Sequence, residues 1–273
     1  MLTGFGRLGL EVKDLGSARA FYEDRLGLVP EQVVNPPAVE AAREGERADT
    51  SPGSESAVSY AVGETALVLR RPTDRPRGGV HTHYAFATTP TAYAGWLRCL
   101  ADLDPVEFSF GATDSLYVYD PAGHCVEIGS VDRKGAESGS ESTGVGRGGD
   151  TADADDTDAA PPLSGVFEVV LEVTDLAAAE DRYRRLGFEV VDRGDARRRV
   201  RLSGPVDLEL WEPQLGIADG RGGLHVDLAF ETPNPDAAVE AGAPWPRGPN
   251  PVDGGLRVVD GDGHVLTFHR PGE

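Results

Sequence analysis

The stretch DPAGHCVEI, Asp120 to Ile128, has the residues of a tight turn followed by a strand that aims one carboxylate, Glu127, at one face of a sheet. Upstream, in GGVHTHYAF, His81 and His83 are two positions apart and share a face of any strand they lie on. An imidazole and a carboxylate are donors for Zn, Fe, Mn or Ni, so metal-assisted chemistry is what these residue types suggest. No nucleotide-binding glycine loop, GxSxG or other nucleophile signature, or thiol-handling pair accompanies them. The two cysteines, Cys99 and Cys125, form no CxxC pair or disulfide framework, which fits a reducing compartment.

The elements that must position these residues come as a repeat. LGLEVKDLGSARAFYEDRLGL from Leu8 and VVLEVTDLAAAEDRYRRLGFEV from Val169 each read as an alternating strand, an Asp-Leu helix start, an amphipathic helix and a Leu-Gly stop. GGVHTHYAF at Gly78 matches GGLHVDLAF at Gly222 without gaps, and DPAGH at Asp120 matches DGDGH at Asp260. Each half is doubled again as strand, helix and three strands. The prediction is an α+β fold of four βαβββ modules in two tandem domains, residues 1–131 and 163–273. Between them, residues 132–162 hold no aromatic residue and are rich in Asp, Gly and Ser, the composition of a disordered acidic linker.

Composition narrows the partners. The chain has 273 residues, with 46 acidic against 26 basic side chains, and a formal charge of -20. Such a charge repels nucleic acid and anionic membranes, so neither is an expected partner. Nearly all the positive charge is arginine, and a halophilic source would explain the acid excess. No apolar run reaches the roughly 18 residues of a membrane span, and the start MLTGFGRLGLEV lacks a signal pattern. The expected location is cytoplasmic, as a monomer or homodimer.

The first-strand pattern ending in V-x-D-L, the FY of RAFYEDRLGL, the H-Y-A-F strand and the DPAGHCVEI ending together resemble the vicinal oxygen chelate superfamily, which includes glyoxalase I, bleomycin-resistance proteins and type I extradiol dioxygenases. The resemblance covers nearly the whole chain apart from the linker. It implies curved mixed sheets around clefts, with a divalent metal (Zn, Ni, Mn or Fe) held by first and last strands of two modules facing one cleft.

Carried over residue by residue, the resemblance puts Arg7 and a position near Leu69 in the first module, neither able to ligate a metal. The second module offers His83, with His81 as the alternate, and Glu127. The third offers Glu168 and Glu209; the fourth offers His225 as a further alternate, with Asp227 on the same face, and Thr267 where its partner has Glu127. If modules pair within each domain, Arg7, His83 and Glu127 share a cleft. If they pair across domains, His83, Glu127, Glu168 and Glu209 come together. Arg7 is read as either a clamp for an anionic substrate or a salt-bridge partner of Glu127.

Two functions follow from the resemblance. One is a metal-dependent enzyme acting on a small oxygenated substrate, by glyoxalase-like lyase or isomerase chemistry or extradiol ring cleavage, with Glu127 or Glu209 moving protons. The other is a metal-free protein that sequesters a small compound, in which Arg7, Tyr22, Tyr117 and Trp211 would matter most.

Overall fold

The computed structural model describes residues 1–34, 55–72, 82–110, 113–131, 160–194, 198–213 and 226–272. Its first module is β1 (Gly4–Glu11), α1 (Leu15–Ala20), β2 (Pro30–Val34), β3 (Ala57–Val62) and β4 (Thr65–Arg70). The second is β5 (Thr82–Thr88), α2 (Pro90–Cys99), β6 (Val106–Phe110), β7 (Thr113–Tyr119) and β8 (Cys125–Ser130). The third is β9 (Gly165–Glu172), α3 (Leu176–Arg185), β10 (Glu189–Arg193), β11 (Arg199–Ser203) and β12 (Asp207–Trp211). The fourth is β13 (Val226–Glu231), α4 (Pro235–Gly242), β14 (Arg247–Val252), β15 (Gly255–Val259) and β16 (Val265–His269).

The repeated helix starts have a local cause. Asp14 accepts from the Ser17 amide at 2.7 Å and Asp175 from the Ala178 amide at 3.0 Å, each satisfying a donor that the first turn leaves open. Downstream, α1 widens into a π-helical turn over Phe21–Arg25. Both segments then stop at a glycine with positive φ, Gly27 at 67° and Gly187 at 105°, a conformation other residues resist.

The strands form two eight-stranded mixed sheets. One runs β14-β15-β16-β13-β1-β4-β3-β2 and the other β10-β11-β12-β9-β5-β8-β7-β6. Modules therefore pair across the two halves of the chain: the first with the fourth, through antiparallel β1 and β13, and the second with the third, through antiparallel β5 and β9.

The expectation of curved sheets around clefts is corrected by this arrangement. Each sheet is open, with a separate edge strand at either end, and neither is strongly curled. The physical reason lies in the seam: the modules meet first strand to first strand, so eight strands extend side by side and their outer edges do not close on one another.

One hydrophobic core draws on all four modules. Leu8 and Leu10 of β1, Leu67 and Leu69 of β4 and Leu228 of β13 are fully buried, alternating with residues on the opposite face. Each such side chain contributes about 1.5–3 kcal/mol relative to exposure.

Polar contacts tie the two modules of each half. Tyr22 Oη donates to Asp120 at 3.0 Å, and the Thr174 amide and hydroxyl both donate to Asp262, at 2.8 and 2.6 Å. At the end of the expected linker, the Pro162 carbonyl accepts from Thr88 Oγ1 at 3.1 Å; residues 132–159 lie outside the described residues. No helix among the described residues is long and apolar enough to cross a membrane.

Candidate metal centre

β5 lies between β8, its parallel neighbour, and β9, its antiparallel neighbour, and Ala85 is in register with Glu127 on one side and Glu168 on the other. Two carboxylates from different halves of the chain thus flank one strand. His83, two residues before Ala85 on the same face, points into the space between them, its Nε2 2.9 Å from Glu127 Oε2. One donor atom each from His83, Glu127 and Glu168 lies within 4.8 Å of the other two, and all three side chains are buried.

Glu209, on β12 in register with Val170, is nearby but outside this set of mutually close donors. It accepts from Arg199 Nη1 at 3.0 Å and Trp211 Nε1 at 2.7 Å. Arg201 reaches Glu168 at 2.8 Å, Asp207 at 3.0 Å and Glu209 at 3.8 Å. The Tyr117 and Trp211 rings stand edge-on to His83, with centroids 5.5 and 6.1 Å away.

Burial and crowding set the protonation states. Burial, reinforced by Glu209, pushes the Glu168 carboxyl up to about 7. Glu127 goes the other way: burial raises it, but the hydrogen bond and charge of His83 outweigh burial and hold it below the ordinary carboxylate value. For His83, burial favours the neutral ring, yet the hydrogen bond and charge of Glu127, with help from Glu168 and Glu209, raise it. Burial, then the neighbouring Glu127, pushes the Cys125 thiol up to about 12, so it is not a thiolate at neutral pH.

This donor chemistry fits a divalent cation. One imidazole nitrogen and two carboxylates converge from three adjacent strands, a mixed nitrogen and oxygen set suited to Zn, Mn or Ni. Burial first, and then the Glu209 charge, raise Glu168, and a cation at this place would offset both.

No known family's sequence pattern matches this chain, and no curated protein does. Solved structures do. A putative dioxygenase from Bacillus subtilis superposes with a TM-score of 0.66 at 15% identity, over 100% of this chain and 86% of its own. Glyoxalase I from Zea mays superposes with a TM-score of 0.58 at 16% identity, over 98% of this chain and 92% of its own. A mutant of that Zea mays enzyme gives 0.60 at 16% identity, over 98% and 93%. The chain has the vicinal oxygen chelate fold.

In this vicinal oxygen chelate fold the two sheets repeat one plan, so the registers give each site residue a counterpart. Ala85 pairs with Glu127 as Ala229 pairs with Thr267, and His83 lies two residues before Ala85 as Asp227 lies before Ala229. Arg7, the counterpart of Glu168, therefore does not face Glu127. It reaches Asp227 and Thr267 in the other sheet, each at 3.5 Å.

Leu69, the expected last-strand position, points into the core because Val68 and Arg70 take the opposite face. Tyr22 is not part of the metal centre; it is fully buried, hydrogen-bonded to Tyr84 and Asp120. His81 and His225 lie outside the described residues.

Sequence reasoning missed the arginines on β11. Arg199 and Arg201 alternate with buried Val200 and Leu202, a period-two signal that puts both guanidiniums on the face of Glu209.

The turn before β8 fixes Glu127. Asp120 Oδ1 accepts from the Ala122 and His124 amides at 2.9 and 2.8 Å, while its Oδ2 meets His124 Nδ1 at 2.8 Å and Tyr22 Oη at 3.0 Å. Burial opposes ionisation of Asp120, but the His124 charge and these hydrogen bonds hold its carboxyl below the ordinary value. DPAGH is thus a buried polar anchor that sets where β8 begins.

Proposed function

We propose that the protein is a divalent-metal-dependent enzyme of the vicinal oxygen chelate type, acting on a small oxygenated metabolite by glyoxalase-like isomerisation or lyase chemistry. The observation that carries this is the buried His83, Glu127 and Glu168 cluster. These three residues would hold the ion, and Glu209 would complete the set if it exchanged Arg199 for the metal. The ion, when bound, would polarise adjacent substrate oxygens as a Lewis acid.

The chain's own groups supply the rest. Glu127, ionised at neutral pH, takes a substrate proton on a carboxylate oxygen and returns it to a neighbouring carbon. Tyr117 and Trp211 shape the apolar wall and limit water around the substrate. Arg199 and Arg201 balance the carboxylates that the substrate would approach.

Among the described residues the cluster holds one histidine and two carboxylates; extradiol ring cleavage, with the two histidines and one carboxylate typical of non-haem iron oxygenases, would need His81 or His225 as well. Metal analysis of protein purified without chelators, with melting curves in Zn, Ni, Mn and Fe(II), tests the reading. Metal-free protein that gains no stability from any of the four would sink it.

A second reading is favoured by the ion pairs. Glu168 is already 2.8 Å from Arg201 and Glu127 2.9 Å from His83, an arrangement that also suits a metal-free protein sequestering a small molecule of the bleomycin-resistance type. Ligand-induced thermal shifts that survive chelation would select this reading.

A further inference from the structure

The other sheet carries, at the equivalent place, a site of opposite charge. Asp227 stands where the first site has His83, Thr267 where it has Glu127, and Arg7 where it has Glu168. The registers continue the correspondence: Arg70 on β4 matches Trp211 on β12, and Arg257 on β15 matches Tyr117 on β7.

Arg7, Arg70 and Arg257 all aim at a single oxygen, Asp227 Oδ2, at 3.5, 3.5 and 3.1 Å. Thr267 Oγ1 donates to the other Asp227 oxygen at 3.1 Å and accepts from Arg257 Nε at 3.3 Å. All three ion pairs are longer than the roughly 2.7–2.9 Å of a good charge-assisted hydrogen bond.

Among the described residues, the cluster holds three guanidiniums against two carboxylates. Asp227 is 3% exposed and shared three ways, and Glu11, 3.4 Å from Arg70, is the second carboxylate in contact with it. Arg70 Nε is buried without a hydrogen-bond partner. Burial and the charges of Arg70 and Arg7 lower the Arg257 guanidinium despite Asp227, the response expected of crowded cations. The Arg7 and Arg257 side chains are each 32% exposed, so a solute can reach them.

We propose that Arg7, Arg70, Arg257 and Thr267 form a binding site for the phosphate or phosphonate group of a small molecule, distinct from the His83 centre. Three guanidiniums offer planar forks to a tetrahedral oxyanion with several acceptor oxygens, and the Thr267 hydroxyl adds a neutral donor. On a chain of net charge -20 the overall field opposes anions, so saturable binding that Arg257→Gln weakens would report this cluster.

Isothermal titration of the whole chain with sodium phosphate, against sodium chloride at matched ionic strength, tests the site. Glycerol 3-phosphate in a second arm distinguishes an esterified group from the inorganic ion, whichever binds tighter naming the source. Saturable binding is expected, and Arg257→Gln should weaken it at least about tenfold, the equivalent of one charged hydrogen bond.

Asp227→Asn separates a ligand role from a structural one. Removing the competing carboxylate should tighten phosphate binding and enlarge the phosphate-induced rise in Tm, even where the ligand-free variant melts lower. No saturable binding in either arm, equal binding by Arg257→Gln, or weaker binding by Asp227→Asn overturns the proposal. So does saturable binding of succinate without binding of either phosphate compound.

Discussion

Glu127 and Glu168 flank the same residue, Ala85, one from each half of the chain, and with His83 they make a buried donor set that neither half contains alone. The centre is thus a product of the β5 to β9 seam. Its geometry depends on two registers, one parallel and one antiparallel, meeting at a single strand.

The donor assignment predicts unequal effects from like substitutions. Glu127→Gln and Glu168→Gln should each lower affinity for Zn, Ni or Mn by more than the roughly 10–100-fold typical of losing an outer-shell partner. Arg7→Gln, in the other sheet, should leave it unchanged. Titration calorimetry and metal analysis check this, and equal losses in all three variants would contradict the assignment.

Much of this was legible in the sequence. The duplication, the Asp14 and Asp175 helix starts and Glu127 leaving the DPAGH turn are local patterns, and local patterns carry their own physics. What decides the site is not local. Whether Glu168 or Arg7 shares a site with Glu127 depends on which first strands pair, and both pairings satisfy the same alternation. Arg70 was missed for Leu69 because a shift of one residue reverses the face. Arg201 and Arg257 were missed because their partners sit on neighbouring strands, in registers that a single sequence does not display.

The Glu168 carboxyl makes metal binding depend on pH. Raised from 4.5 to about 7 in the folded metal-free protein, it contributes stability that is fully present below about 4.5 and is lost as pH rises through 7. Glu127, held low, contributes in the opposite sense: its share is present above the ordinary value and is lost as pH falls through its folded value. A cation needs both Glu168 and His83 deprotonated, so affinity should climb as pH rises through about 7. Calorimetry in buffers of different ionisation enthalpy should detect proton release below pH 7, and Glu168→Gln should lessen it, leaving the proton that His83 gives up.

Arg201 competes with a cation for Glu168. Its guanidinium is 2.8 Å from Glu168 and also holds Asp207, so Arg201→Ala leaves buried carboxylates without their counter-charge. The metal-free variant should melt lower, by about 1–3 kcal/mol in stability. The rise in Tm on adding Zn or Mn should exceed that of the unaltered protein. A smaller rise would show that Arg201 orients Glu168 for the metal.

The two repeated turns should tolerate substitution unequally. Asp120 satisfies two amides, the His124 ring and the Tyr22 hydroxyl, whereas Asp260 Oδ1 accepts two amides and its Oδ2 is buried without a partner. Asp120→Ala therefore removes more, and should cost about 3–5 kcal/mol, the scale of a broken buried charge pair. Asp260→Ala should cost less. Urea denaturation of the two variants orders them, and the reverse order would mean that the Tyr22 link adds nothing.

The crossed pairing of modules makes a prediction about the halves. Residues 1–131 supply β1 and β5, whose outer partners, β13 and β9, both come from the second half. Expressed alone, the first half would present two unpaired strand edges beside the buried Leu8, Leu10, Tyr84 and Phe86, a template for self-association. It should therefore run as a dimer or larger species on size exclusion, and residues 160–273 should behave the same way. Mixed or co-expressed, they should form a one-to-one complex that binds metal as the whole chain does, because β5 and β9 re-form the His83, Glu127 and Glu168 set across the seam. A stable monomeric half with its own metal site would mean that the pairing seen here is one of two arrangements the sequence can adopt.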